Sequence, residues 1–385
     1  MKKLFVLLLS LVLVFSLIGC GKTNESGSDA AKEETPAAEE TPATEEEASD
    51  DGEEAEEPAK EDQDTAVAED DLFVLRAFTP TTFMEFTIAD EMGFFRDGGI
   101  QIQYVGSLPT GMTDLQLIEQ GEIDVSYSGH PSVVAQARLS GIKVKMIAPG
   151  MVDDEKNPHV TYLVKNDSEL QTLDDIAGHK VGIGGTGVCT DGYLSYYLNS
   201  KGLDASSVEY VKLPQGGAPE QAVVQGLIDV TDSHTPYATL ALATGEVRVL
   251  GKTWDIFGSP AAGLGARSLP EWIIDEHPDV AQGFVDAMYR ARLWSNANPE
   301  ESANLMAAVL GLKEGEVLPL IQDENKNIEP SYIDLWFELA ESEAVGLWET
   351  GQITPEEIYT NDFVPKDAPA SDADLHWDGE VHNTY

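Results

Sequence analysis

The chain has 385 residues, with 69 acidic against 23 basic side chains and a formal charge of −46 at neutral pH. That balance excludes nucleic acid and anionic membrane surfaces as natural partners. Two cysteines are too few for a disulfide framework or a thiolate metal cluster.

Met1 to Cys20 opens with two lysines, carries an apolar core from Leu4 to Phe15 and closes on Leu17-Ile18-Gly19-Cys20. The core is shorter than the roughly 20 residues that a membrane span needs, and the closing tetrapeptide resembles the lipobox of bacterial lipoprotein signal peptides. That resemblance implies cleavage before Cys20, lipid on its sulfur, and a mature protein tethered to the extracytoplasmic face of the membrane. From Gly21 to Asp71 the sequence is Glu, Asp, Ala, Thr, Pro and Ser with almost no large apolar residue. Such a segment buries too little to offset its ordering entropy and reads as a disordered acidic tether. The remainder, beginning at Leu72, is long for one core and suits two lobes.

Asp71 to Phe78 reads as the first strand. A Thr79-Pro80-Thr81-Thr82 turn and an amphipathic helix ending at Gly93 follow, then a second strand from Ile100 to Val105 and a helix from about Thr110 to Gln120. Next come two related passages, QGEIDVSYSGHP from Gln120 and QGLIDVTDSHTP from Gln225. A constant offset pairs Gly121 with Gly226, Asp124 with Asp229, Ser128 with Ser233 and Pro131 with Pro236. In each copy a helix ends on glycine, a short buried strand follows, and a Ser-x-x-Pro turn opens the next helix. The pattern predicts two similar α/β lobes, with Tyr127 to Pro131 and Asp232 to Tyr237 as facing walls of a cleft at the carboxyl ends of strands. Asp124 and Asp229, each at a strand start, read as structural. Thr161 to Lys165 reads as the crossing into the second lobe, and Trp254 to Phe257 leads back. Beyond Leu269 the pattern is helical, with a long amphipathic helix from Pro278 to Asn296.

Lys180 to Tyr193 (KVGIGGTGVCTDGY) reads as strand, glycine-rich turn and helix. Gly184, Gly185 and Gly187 would let a ligand approach the backbone, and the helix N-terminus would suit a polar or anionic group. Gly182, Gly184 and Gly187 also match G-x-G-x-x-G, so a dinucleotide-binding enzyme is an alternative reading. Cys189, in the first turn, reads either as a cleft thiol whose pKa the helix dipole lowers or as a buried, inert cysteine packing that helix onto its sheet. No Ser-His-Asp, HExxH or paired-cysteine pattern is visible, so no reaction, cofactor or metal is expected.

Phe94-Phe95 after Gly93, the run S-x-x-x-x-L-x-D-x-x-G-x-x-V from Ser168 to Val181, and Asn298-Pro299-Glu300 resemble the solute-binding proteins of ABC importers. The similar group is the nitrate, sulfonate and taurine one, which includes binders of thiamine-pyrimidine precursors. The resemblance implies a type II periplasmic-binding-protein fold: two α/β lobes, residues 72–163 with 264–385 and residues 164–263, around a ligand cleft. It implies a small-molecule solute, a permease with its ATPase as partners, and no enzyme activity. A sensory lipoprotein of the same fold is a further alternative. Carried over position by position, the ligand turns fall on Thr79, Thr81, Thr82 and Phe83; on Ser128, Gly129 and His130; on Gly185, Thr186, Gly187, Cys189 and Thr190; and on Ser233, His234 and Tyr237. Tyr127 and Trp254 are available for stacking beside Phe83 and Tyr237. None of these turns holds Lys or Arg, which favours a neutral or aromatic solute as much as a small anion. His159, His179, His277, His376 and His382 read as surface residues.

Overall fold

The computed structural model describes residues 72–80, 85–108, 113–185, 187–214 and 216–385. The expected signal peptide, its Cys20 and the acidic tether lie outside them.

The described strands are β1 (Phe73–Ala77), β2 (Ile100–Tyr104), β3 (Ser126–Gly129), β4 (Val144–Pro149), β5 (Thr161–Lys165), β6 (Lys180–Ile183), β7 (Glu209–Lys212), β8 (Val230–Ser233), β9 (Val247–Lys252) and β10 (Ala266–Pro270). β5 to β9 form one sheet in the order β7-β6-β8-β5-β9. β6 runs parallel to β7 and β8, and β5 runs antiparallel to β8 and β9. The remaining strands form a two-stranded sheet, β1-β2, and a three-stranded one, β3-β10-β4, which side by side make up the first sheet. β1 pairs in parallel with β2, and β10 lies antiparallel between β3 and β4. Asp124 joins the two parts: its N–H donates to the Arg76 carbonyl at 2.8 Å, and its carboxylate accepts from the Arg76 N–H at 2.9 Å and from the Arg76 guanidinium.

Asp229 does the same in the second sheet, with its N–H on the Lys180 carbonyl at 3.0 Å and its carboxylate on the Lys180 N–H at 2.9 Å. The structural reading of both aspartates therefore holds, and the repeat has a physical meaning. Each copy supplies one strand and the carboxylate that ties it to its parallel neighbour, filling backbone donors that would otherwise be orphaned. Gly121 and Gly226 close the preceding helices Asp114–Glu119 and Ala218–Val224 at φ +70° and +71°, the left-handed conformation that favours glycine.

Each sheet borrows its antiparallel strand from the other half of the repeat, β10 for the first and β5 for the second. Thr161–Lys165 is thus not the crossing expected from sequence but a strand inside the second sheet; the chain changes sheet in residues 150–160 and returns through 253–265. These two segments are held together. The Asp153 N–H donates to the Pro260 carbonyl at 2.9 Å, the Gly265 N–H to the Met151 carbonyl at 3.0 Å, and the Thr253 N–H to the Val160 carbonyl at 3.0 Å. The buried Asp153 carboxylate accepts from the Thr253 hydroxyl at 2.9 Å and from the His159 N–H at 2.5 Å.

The core beneath the first sheet is aromatic. Phe86 stacks on Tyr127 at 4.7 Å and meets Phe95 at 5.0 Å, and Phe95 stacks on Phe284 of the helix Pro278–Ala297 at 5.4 Å. Tyr127 is fully buried there, with its hydroxyl on the Phe78 carbonyl, so it packs the core and does not face a cleft. Among the described residues no helix is long and apolar enough to cross a membrane.

Candidate functional site

A cavity of about 320 Å³ opens between the carboxyl ends of the two sheets, beside the crossing segments. That is near the lower end of the volumes common for small-molecule sites, about 300–1,000 Å³. The first sheet contributes His130, which follows β3. The crossing contributes Met151, Val152, Asn157, Pro158 and His159. From the second sheet come Gly184, Cys189 and Thr190 after β6, Gly216, Pro219 and Glu220 before β8, and Asp232, His234, Thr235 and Tyr237 on β8 and its turn. Leu320 closes the remaining side.

Of the residues expected to bind ligand, His130, Cys189, Thr190, His234 and Tyr237 come together on this cavity. Thr79, Gly129, Gly185, Gly187, Ser233 and Trp254 are not among its lining residues. Thr79 donates its N–H to the Gly106 carbonyl at 2.8 Å. Ser233 is buried one layer back, where its hydroxyl donates to Glu220. Trp254 lies in the short helix Thr253–Phe257 and accepts the Gly258 N–H on its carbonyl. Thr81, Thr82, Phe83, Thr186 and the side chain of Ser128 are outside the described residues.

The glycine-rich turn departs from its sequence reading in two ways, while Gly182 sits inside the strand as read from sequence, on β6, where a Cβ would meet Ile228 Cδ1 at 2.3 Å. Its smallness serves sheet packing, not the approach of a pyrophosphate, and the dinucleotide fingerprint loses its first member. The helix opens with a wide π-helical turn, Val188–Gly192, before the α-helix Tyr193–Ser200. Its first free N–H is already taken, because Gly187 donates to Asp191 Oδ1 at 2.8 Å. A carboxylate of the chain itself stands where an anion was expected.

His130 is firmly oriented. Its Nδ1 lies 2.7 Å from the Leu264 carbonyl, which can only accept, so Nδ1 carries the hydrogen and Nε2 keeps its lone pair. Its ring stacks on Trp336 at 4.7 Å, and Trp336 in turn donates Nε1–H to the Ala261 carbonyl at 2.8 Å. His159 stands edge-on between His130 and His234, with ring centroids 4.8 and 4.9 Å away. It is a cavity residue at the centre of a row of three imidazoles, not the surface histidine expected from sequence.

Burial governs the protonation of this group. It pushes His130 down to about 4 against the pull of the Leu264 carbonyl, and His234 down to about 4 with help from His130. His159 is held well below the usual imidazole range by burial and by its two histidine neighbours. Burial, then the nearby Glu220 and Asp191, pushes Asp232 up to about 8. Cys189 is pushed up to about 12 by burial and by Asp232, the opposite of the lowering expected from a helix N-terminus; desolvation of the thiolate outweighs the dipole.

Among the described residues the lining includes acidic Glu220 and Asp232 and no Lys or Arg. His159 Nε2, Asp232 Oδ2 and Glu220 Oε2 are buried without a hydrogen-bond partner among the described residues. Sequence reasoning missed His159 and Glu220; Asp232 opens the wall read from the second repeat, Asp232 to Tyr237, and does line the cavity.

Comparison with known proteins agrees with this architecture. A relative from Escherichia coli (strain K12), named as an aliphatic sulfonates-binding protein, is 28% identical over 205 residues. The match covers 53% of this chain and 61% of that protein, less than two thirds of its length. Among solved structures, the alkanesulfonate-binding protein SsuA from Xanthomonas axonopodis pv. citri, bound to MOPS, superposes with a TM-score of 0.61 at 16% identity, covering 75% of this chain and 98% of that one. The desulfurization enzyme DSZB superposes with a TM-score of 0.53 at 15% identity, covering 75% and 97%. At such identities the likeness shows the fold alone, which is that of the periplasmic solute-binding proteins. Residues 80–302, more than half of the sequence, match the family described as NMT1/THI5 like, and the chain belongs to that family.

Proposed function

We propose that this protein is the extracytoplasmic solute-binding component of an ABC importer, anchored through lipid on Cys20. It captures a small organic solute between two lobes, one built on β1 to β4 with β10 and the other on β5 to β9, and delivers it to a membrane permease. The observation that carries the reading is a cavity walled by the repeat-equivalent turns that follow β3 and β8. Closure of two such bodies is a hinge motion over the bound solute.

The chemistry of the walls favours a neutral solute rich in N–H or O–H donors over a sulfonate or nitrate. Among the described residues a bound anion would meet Glu220 and no Lys or Arg, whereas donors would satisfy the orphaned Glu220 Oε2 and His159 Nε2. Tyr237 offers a ring face to a flat solute. Titration calorimetry of the purified protein tests this, with an aminopyrimidine on one side and taurine, an alkanesulfonate and nitrate on the other. Micromolar binding of the aminopyrimidine, with no heat from the anions, is the expected result; tight binding of an alkanesulfonate alone would overturn the solute class.

The enzyme reading rests on the glycine motif, whose first member packs inside β6, and the cavity thiol gives it no help. A thiol pushed up to about 12 is the reverse of an activated nucleophile, so the binding reading is preferred. For the anchor, Cys20→Ala should release the protein from the membrane fraction of expressing cells while leaving its thermal unfolding unchanged. Continued membrane retention of that variant would sink the lipid assignment.

A further inference from the structure

We propose that the cavity binds a divalent transition-metal ion through His130, His159 and Cys189. Each residue brings one ligand atom, from the first sheet, the crossing and the second sheet respectively, and these atoms all lie within 4.8 Å of one another. A tetrahedral ion with bonds of about 2.0 Å to nitrogen and about 2.3 Å to sulfur spaces its ligands about 3.5 Å apart. The contraction falls to rotation of the His159 and Cys189 side chains, since the His130 ring is held by the Leu264 carbonyl and Trp336.

Two features of the surroundings belong to a metal site and not to a chance cluster. His130 donates Nδ1–H to the Leu264 carbonyl at 2.7 Å and is clamped against Trp336; an outer hydrogen bond of this kind fixes the ring and turns the lone pair of Nε2 to the ion. His159 is anchored through its backbone N–H on Asp153, and its Nε2 is buried with no partner among the described residues. A ring nitrogen kept dry and unpaired costs stability unless something else occupies it. His234, edge-on to His159, stands beside the cluster.

Two imidazoles and one thiolate select zinc, cobalt, nickel or copper over magnesium and calcium. Three protein ligands leave a coordination position open toward the cavity, where a donor atom of a small molecule could complete the shell. The site lies in the cavity assigned above to a solute, yet it does not depend on import, because the ion would bind with no organic solute present.

The test uses the full chain carrying Cys20→Ala, so that Cys189 is its single thiol. After dialysis against chelator, the protein is loaded with Co²⁺, and bound metal is counted by mass spectrometry with Mg²⁺ as the control. One Co²⁺ per chain is expected, with a near-ultraviolet thiolate-to-cobalt charge-transfer band. Cys189→Ser should abolish the band, His159→Gln should weaken binding about tenfold or more, and His234→Gln should keep both. Failure to retain Co²⁺ beyond the Mg²⁺ control overturns the proposal. So does retention without the charge-transfer band, which would mean adventitious binding to acidic side chains. If a variant fails to fold, the spectrum of the single-thiol parent still decides. Calorimetry with the aminopyrimidine, run in chelator, reads the solute-binding function separately.

Discussion

Asp153 is one side chain on which two stretches of backbone depend. It holds the Thr253 hydroxyl and the His159 N–H, so the crossing chain and the central imidazole of the cavity are fixed by the same carboxylate. Gly263 makes this possible: a Cβ there would stand 2.2 Å from the Asp153 nitrogen, backbone that cannot turn aside. Gly263→Ala should therefore cost about 1–3 kcal/mol, measured by urea unfolding, and should weaken solute binding. An unchanged midpoint would show that the crossing segments are slack. A second buried group sits under the first sheet, where Arg267 donates to both carboxylate oxygens of Glu85, and neither side chain is more than 1% exposed. Removing one partner strands a charge in the core, and Glu85→Gln should destabilise by about 3–5 kcal/mol. The double replacement Glu85→Leu with Arg267→Met should recover most of the loss; additivity of the two single effects would argue that the ions do not depend on each other. Neither residue announces itself in sequence. Glu85 reads as an ordinary first-turn acid, and only the antiparallel placement of β10 brings Arg267 to it. The same holds at the site, where His159 carries no local pattern and nothing near Cys189 in sequence decides between a dipole-lowered thiol and a buried one beside Asp232.

The elements that were legible are those whose signals are local. The paired QGxIDV passages identified both glycine stops, both short buried strands and both structural aspartates, because helix termination and strand start are written within a few residues. What could not be read is the exchange of β5 and β10 between the sheets. TYLVK looks the same whether it crosses or pairs, and its partners β8 and β9 lie more than 60 residues downstream. Packing between elements also sets a titration that sequence alone does not reveal. Asp90, on the helix Glu85–Glu91, is pressed beside Tyr104 at the end of β2, and burial pushes its carboxyl up to about 7 although the tyrosine opposes the rise. An unfolded aspartate titrates near 3.8, so between those values the folded chain holds a proton that the unfolded chain has released. Stability from this group is therefore full below about pH 4, falls as pH rises toward 7, and is level above it. At roughly 1.4 kcal/mol per pH unit, the loss amounts to a few kcal/mol. Asp90→Asn should remove it, so unfolding free energies of the parent and the variant should diverge between about pH 4 and pH 7. Parallel curves would mean that Asp90 is ionised in the folded protein throughout.

At the scale of the whole molecule, 69 acidic side chains face 23 basic ones, of which 48 and 18 fall in residues 72–385, and the ion pairs along the surface cannot neutralise that excess. Bringing so many like charges together on folding costs electrostatic free energy that the extended chain avoids by spreading them. The repulsion is long-range, so simple salt should relieve it: the screening length shrinks from about 30 Å at 0.01 M to about 8 Å at 0.15 M. Stability should rise over that interval, and with a shift of about 2–4 °C for each kcal/mol in a chain of this size class, the melting temperature should climb by several degrees. The few buried pairs work the other way but weakly, because Glu85 and Arg267 are shielded from solvent ions by the core around them. Screening depends on ionic strength and not on the identity of the cation, so sodium chloride and choline chloride should give the same curve. The experiment is a thermal melt in each salt, in the presence of chelator so that no transition metal contributes. A melting temperature that falls with salt would mean that surface ion pairs outweigh the net repulsion. A rise with sodium alone would point to discrete cation binding among the carboxylates.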